Sequence, residues 1–196
     1  MDNPFFVDIA RLAHLLCLVL GMGPVLYFDL RSVQLIAQPM WPTDIAELNN
    51  IHRIVSLACL GLWISGATLI WIRTGFDFDT FSPKLWCKIG VVTVLTLNAI
   101  VLAVFVIPKL DQSVGLRLID LPALSLLSMS ICAGISLSCW ILALSLGASS
   151  VLKVADWSLL LPLMFGTSAL CIFGVLTLTF AARLLLRKST PDGYTD

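Results

Sequence analysis

The chain has 196 residues, of which 59% are hydrophobic and only 12% charged, with twelve basic side chains balanced by twelve acidic ones. Its mean hydropathy is +0.98. An ordinary soluble domain carries about 25% charged residues, so this composition excludes a soluble globular fold, and the lack of any basic block excludes a nucleic-acid partner. The lipid bilayer is then the solvent for most of the chain. A spanning helix needs about 20 mostly apolar residues, which leaves room for about five. The apolar runs are continuous rather than alternating, which favours helices over barrel strands. The expected fold is therefore all-α, a multi-pass transmembrane bundle of about five helices. It forms one domain over residues 1–188, followed by a disordered tail at 189–196.

Helix 1 is predicted from about Asp8 to Ile36. At 100° per residue His14, Cys17, Gly21, Val25 and Phe28 share one face, flanked by Arg11 and Asp29. Pro24 removes a backbone donor mid-span and predicts a kink. Gly21 and Gly23 beside it allow a neighbouring helix or a flat ligand to come close. Pro42-Thr43-Asp44 reads as a helix start, with Trp41 as an interfacial anchor. Helix 2 follows from about Ile45 to Arg73, with His52, Ser56, Cys59, Trp63 and Gly66 along one face.

The connection TGFDFDTFSP is short, aromatic and acidic. Helix 3 is predicted from about Lys84 to Ile107, with Lys84, Lys88, Leu95 and Asn98 on one face and Pro108 as its end. The segment up to Asp120 is polar enough for a loop or a surface helix. Helix 4, about Pro122–Leu146, has two small-residue faces: Ser128, Cys132 and Ser136 on one, Ser130, Gly134 and Ser138 on the other. That pattern marks close helix packing, and no base accompanies the serines. Helix 5, about Trp157–Leu186, leaves the membrane through Arg183, Arg187 and Lys188, whose long side chains reach the interface. The six cysteines lie inside these helices without a CxxC pair or a CxxCH haem-attachment site, and read as small buried apolar residues. The acidic start MDNPFFVD, with no small-residue cleavage pattern after the apolar run, predicts that helix 1 is retained.

Short connections make successive helices antiparallel. The membrane side of the N-terminus collects Arg11, Arg73, Lys84, Lys88 and Lys153, and the other side collects Arg31, Arg53, Lys109, Arg117, Arg183, Arg187 and Lys188. The positive-inside rule puts the larger set in the cytoplasm. The expectation is a plasma (inner) membrane protein with its N-terminus outside and its C-terminus cytoplasmic.

Ionisable groups within a span mark a site or a structural pair. On the N-terminal side His14 lies about one and a half turns inside helix 1, and Lys88 lies about as deep in helix 3. His14 reads either as a hydrogen-bonded interfacial residue or as a metal ligand, because neutral imidazole suits haem iron, copper or zinc. A structural zinc site wants four protein ligands, and His14 with Cys17 offers two. His14 and His52 begin at opposite ends of antiparallel helices, too far apart to ligate one haem. Haem held by His14, alone or with a helix 3 group, fits better. On the other side Asp29 and Arg31 meet His52 and Arg53. These four form an expected structural ion-pair cluster, with Asp29 paired to Arg53 or Arg31; the alternative is a proton or ion relay.

The stretch RLAHLLCLVLGMGPVLYFDLR resembles the first helix of the membrane protoporphyrinogen oxidases of the J type, and KLWCKIGVVTVL resembles a later helix of that family. The copper-resistance D type of membrane domain is similar as well, through RIVSLACLGLWISGATL and KLWCKIGVVTVLTLNAIVLAVFVIPKL. The resemblance covers about residues 11–110, and Asp29 and Trp86 depart from the oxidase pattern. It implies haem b, with His14 as the haem-binding histidine and Lys88 as an essential catalytic lysine, Gly21 and Gly23 making room for the ring. Three functions follow as expectations. The first is a haem-b redox protein resembling protoporphyrinogen oxidase. The second is a copper-linked or small-solute transport component using the soft atoms of Cys17, Met22, Cys59 and Cys87. The third is a scaffold whose helix 4 packs a membrane partner or a second copy in a homo-oligomer.

Overall fold

A computed structural model describes residues 4–189. Five helices are long and apolar enough to cross a membrane, and the protein is an integral membrane protein of all-α architecture. They are α1 (Pro4–Leu35), α2 (Pro42–Thr74), α3 (Pro83–Asp111), α4 (Ala123–Ala148) and α5 (Trp157–Ser189). Among the described residues the β pairing is a single bridge, Pro39 to Arg117, which ties the α1–α2 and α3–α4 connections together. Met40 N–H donates to the Leu116 carbonyl at 3.0 Å, and Gly115 N–H to the Met40 carbonyl at 2.9 Å. The tail expected at 189–196 lies outside the described residues, apart from Ser189 at the end of α5.

Local chemistry sets the helix ends. Pro42 opens α2, where a missing N–H costs nothing, and the Asp44 carboxylate accepts from the Trp41 N–H at 2.8 Å. Gly75 closes α2 in the left-handed region at φ 60°, where a Cβ would be strained. Ser82 caps α3, its Oγ accepting from Leu85 N–H at 3.3 Å, with Pro83 as the first helical residue. α1 runs unbroken through Pro24.

The predicted end of helix 3 at Pro108 is not an end. The chain widens into a π-helical turn over Leu102–Val106 and continues as Ile107–Asp111. A proline ring clashes with the carbonyl four residues earlier, and the wider turn gives it space. In the connection that follows, the Arg117 guanidinium donates to both Asp120 carboxylate oxygens at 2.8 and 3.2 Å. That hydrogen-bonded pairing holds the arginine above its ordinary pKa.

α1 packs along α2, α4 packs along α5, and α3 joins the two pairs chiefly through α4. The central helix is α4, the most buried of the five, and α5 is the least. Trp140 and Leu146 on α4 are wholly buried, whereas Phe165, Leu170 and Phe173 on α5 face outward, as they do in hydrocarbon. Lipid tails are as apolar as leucine, so close packing rather than hydrophobic burial holds such helices together.

The small faces of α4 supply that packing inside the chain, as their pattern predicts. A Cβ on Gly134 would lie 2.7 Å from the Ile172 Cα of α5. Ser130 Oγ donates to Thr179 Oγ1 at 3.2 Å. The Cys132 carbonyl accepts from Asn98 Nδ2 of α3 at 3.1 Å. The small residues admit this chain's own helices.

Candidate functional site

Two clusters of buried apolar side chains form the core. The larger, towards the N-terminal end of the bundle, includes Leu62, Cys87, Trp140 and Leu146. The smaller, at the opposite end, includes Met40, Ile45, Leu110 and Leu121. Between them lies a partly enclosed cavity of about 200 Å³, walled by residues of all five helices. Ala99 on α3 and Ala133 and Ser136 on α4 leave the space open, and Leu102 and Val106 of the π turn line it. Phe28, Val55, Met129 and Val175 supply apolar walls.

The polar groups on these walls divide into satisfied and unsatisfied. Asn98 is buried and donates to Cys132 O. Ser130 is bonded to Thr179, whose hydroxyl donates to Val175 O at 2.8 Å. Asp29 and His52 also line the cavity. Among the described residues nothing donates to the Asp29 carboxylate; Ser32 Oγ donates instead to the Asp29 backbone carbonyl at 2.7 Å. The nearest partner of the His52 ring is Ser56 Oγ, 3.4 Å from Nε2, and that hydroxyl spends its proton on the His52 carbonyl at 2.8 Å.

The ion-pair cluster expected here therefore divides. Arg31 turns to Asp44, 3.3 Å away, and to Gln34 at 2.8 Å, rather than to Asp29. Arg53 is exposed. Asp44 wins the pairing because its other oxygen is already fixed at the start of α2, leaving it held beside Arg31. Asp29 and His52 remain together on one cavity, from adjacent antiparallel helices.

The N-terminal end holds the other expected group. His14 Nδ1 is 2.8 Å from Ser65 Oγ on α2. Ser65 gives its single proton to the Gly61 carbonyl at 2.6 Å, so His14 Nδ1–H is the donor and a neutral His14 keeps its lone pair on Nε2. Gly66 lies beside the ring: a Cβ there would meet His14 Cε1 at 3.6 Å, an ordinary contact. Lys88 lies near enough to His14 to act on it electrostatically.

Gly21 and Gly23 do not form the cradle expected of them. The indole of Trp140 occupies the side of Gly21 where a Cβ would point, and Gly23 has nothing within 4 Å. A flat ring therefore does sit against Gly21, but it belongs to α4. Among the described residues no group of three or more His, Cys, Asp or Glu side chains is arranged to hold a metal ion. His14 is about 22 Å along α1 from Asp29, so the two groups are separate sites. Sequence reasoning missed the cavity, and its only trace there is the run of small residues Ala99, Ala133 and Ser136. Comparison of the chain with family models, curated proteins and solved structures finds no match to any of them.

Proposed function

We propose that this integral membrane protein binds a lipophilic molecule with a basic, hydrogen-bond-donating head in the cavity beside Asp29 and His52. The observation that carries this reading is the unpartnered Asp29 carboxylate on the wall of an apolar cavity of about 200 Å³. A half-buried carboxylate without a donor on an apolar wall is costly, and an apolar pocket with a few convergent polar groups is the usual form of a small-molecule site. The apolar part of the ligand lies along Phe28, Met129 and Val175, its head donates to Asp29, and His52 accepts a second hydrogen bond. Thermal unfolding of the purified protein with hexadecylamine, hexadecanol and hexadecanoic acid tests this. The amine stabilises most, and Asp29→Asn removes its advantage over the alcohol. Equal stabilisation by the acid, or an Asp29→Asn protein that still prefers the amine, overturns the reading.

One observation favours a second reading, a haem-b protein. The Ser65 hydroxyl fixes the His14 tautomer with Nε2 unprotonated, as a haem ligand requires, and metal-bound imidazoles are commonly oriented through the other ring nitrogen. His14 would hold the iron, and Lys88 would meet a ring carboxylate; Gly21, filled by Trp140, takes no part. Bound haem would supply one-electron chemistry. Absorption spectra of protein from haem-supplied cells, oxidised and dithionite-reduced, show a Soret band lost in His14→Ala if this reading holds. A spectrum without that band ends it.

A further inference from the structure

Asn98 is satisfied at one end only. Its Nδ2 donates to the Cys132 carbonyl of α4 at 3.1 Å. A carbonyl oxygen only accepts, so the amide nitrogen faces it and Oδ1 is turned away. Among the described residues nothing donates to that oxygen. The same Cys132 carbonyl takes the backbone N–H of Ser136, four residues further along α4. One backbone oxygen thus holds the Asn98 amide at the level of Ser136. The Ser136 hydroxyl has no hydrogen-bond partner among the described residues. Its neighbours on α4 do: Ser138 Oγ donates to the Ile135 carbonyl at 2.9 Å, and Ser130 Oγ to Thr179 Oγ1 at 3.2 Å.

Both side chains are more than nine-tenths buried, Asn98 at 6% exposed and Ser136 at 8%. Neither is sealed in. Among the described residues the fully enclosed side-chain atoms without a partner are Trp140 Nε1 and Arg183 Nη1. The open space that Asn98 and Ser136 reach is the cavity, whose wall they share. They present an acceptor in Asn98 Oδ1 and, beside it, a hydroxyl with a proton to give. Unbonded polar atoms on an apolar wall within a membrane are costly. A hydroxyl group answers both, accepting from Ser136 Oγ–H and donating to Asn98 Oδ1.

We propose that the amine held at Asp29 carries a hydroxyl several carbons along its chain, and that Asn98 and Ser136 bind this second group. The inference rests on the reading of the cavity as an amine site and narrows its ligand to an amino alcohol. Depth sets the spacing. Counted from the helix ends that share one side of the bundle, Asn98 and Ser136 both lie about 20 Å in, His52 about 15 Å and Asp29 about 9 Å. The second polar group therefore sits about 5–10 Å deeper than the head, with apolar wall between them. A hydroxyl on the carbon next to the amine is too close to reach it.

Thermal unfolding of the full chain, titrated with octylamine and with aminooctanol bearing its hydroxyl at the far end, tests it. Aminooctanol stabilises wild type at least as well as octylamine, although it partitions far less into hydrocarbon. Ser136→Ala weakens aminooctanol about fivefold and leaves octylamine unchanged, whereas Asp29→Asn weakens both. The ligand-free midpoint of Ser136→Ala stays at or above that of wild type, because the hydroxyl removed was unbonded. A clearly lower midpoint shows that the chain itself uses the hydroxyl, and overturns the proposal. An octylamine response that depends on Asp29, with aminooctanol undiminished by Ser136→Ala, overturns this inference alone and leaves Asn98 and Ser136 to a bound water. No response to either amine overturns it together with the amine reading.

Discussion

Single glycines decide how closely these helices approach, and they are not equivalent. A Cβ on Gly134 meets the Ile172 backbone at 2.7 Å, and backbone cannot rotate away. On Gly61 a Cβ meets only the tip of Cys17, which can change rotamer, and on Gly23 it meets nothing within 4 Å. Overpacking a tight contact costs about 1–3 kcal/mol, whereas alanine in place of an unhindered helical glycine gains about 0.5–1 kcal/mol. Gly134→Val is therefore expected to lower the thermal unfolding midpoint in detergent, and Gly23→Ala to leave it unchanged or raise it. A Gly134→Val protein as stable as wild type would show that α4 and α5 are not held at this distance.

The elements were legible where local chemistry fixes them. Pro42-Thr43-Asp44 announced α2, and long unbroken apolar runs announced all five spans. The antiparallel order alone placed His14 and Lys88 at one end, and Asp29 and His52 at the other. What escaped was whatever depends on a second element. Pro108 reads as a terminator because a proline breaks an α-helix, and only the widened turn at Leu102–Val106 lets α3 run on to Asp111. The small faces of α4 were visible, but a pattern of small residues does not say which helix they admit. The Arg31–Asp44 pair needed the fixed position of Asp44 at the α2 start. The cavity needed volumes from five helices at once, which no single-helix periodicity contains.

For the molecule as a whole, the cavity is a cost that packing alone does not explain. At about 24 cal/mol per Å³, an empty space of about 200 Å³ forgoes up to about 5 kcal/mol, a large fraction of the stability of an ordinary domain. The larger core cluster beside it is closely filled, with Trp140 and Leu146 wholly buried, so the chain packs tightly there. Larger residues at Ala99 or Ala133 would close the gap without disturbing the hydrogen bonds of Asn98 or Ser130. If the space is held open for a ligand, filling it separates stability from binding. Ala133→Leu is expected to raise the unfolding midpoint of the ligand-free protein, because its added methylenes enter vacant volume, and to abolish stabilisation by hexadecylamine. Ala99→Leu, entering from α3, should do the same independently. A variant that is more stable and still responds to the amine places the ligand elsewhere. A variant that is less stable shows the volume already filled by mobile side chains or an acyl chain, and the cavity's cost is then smaller than its size implies.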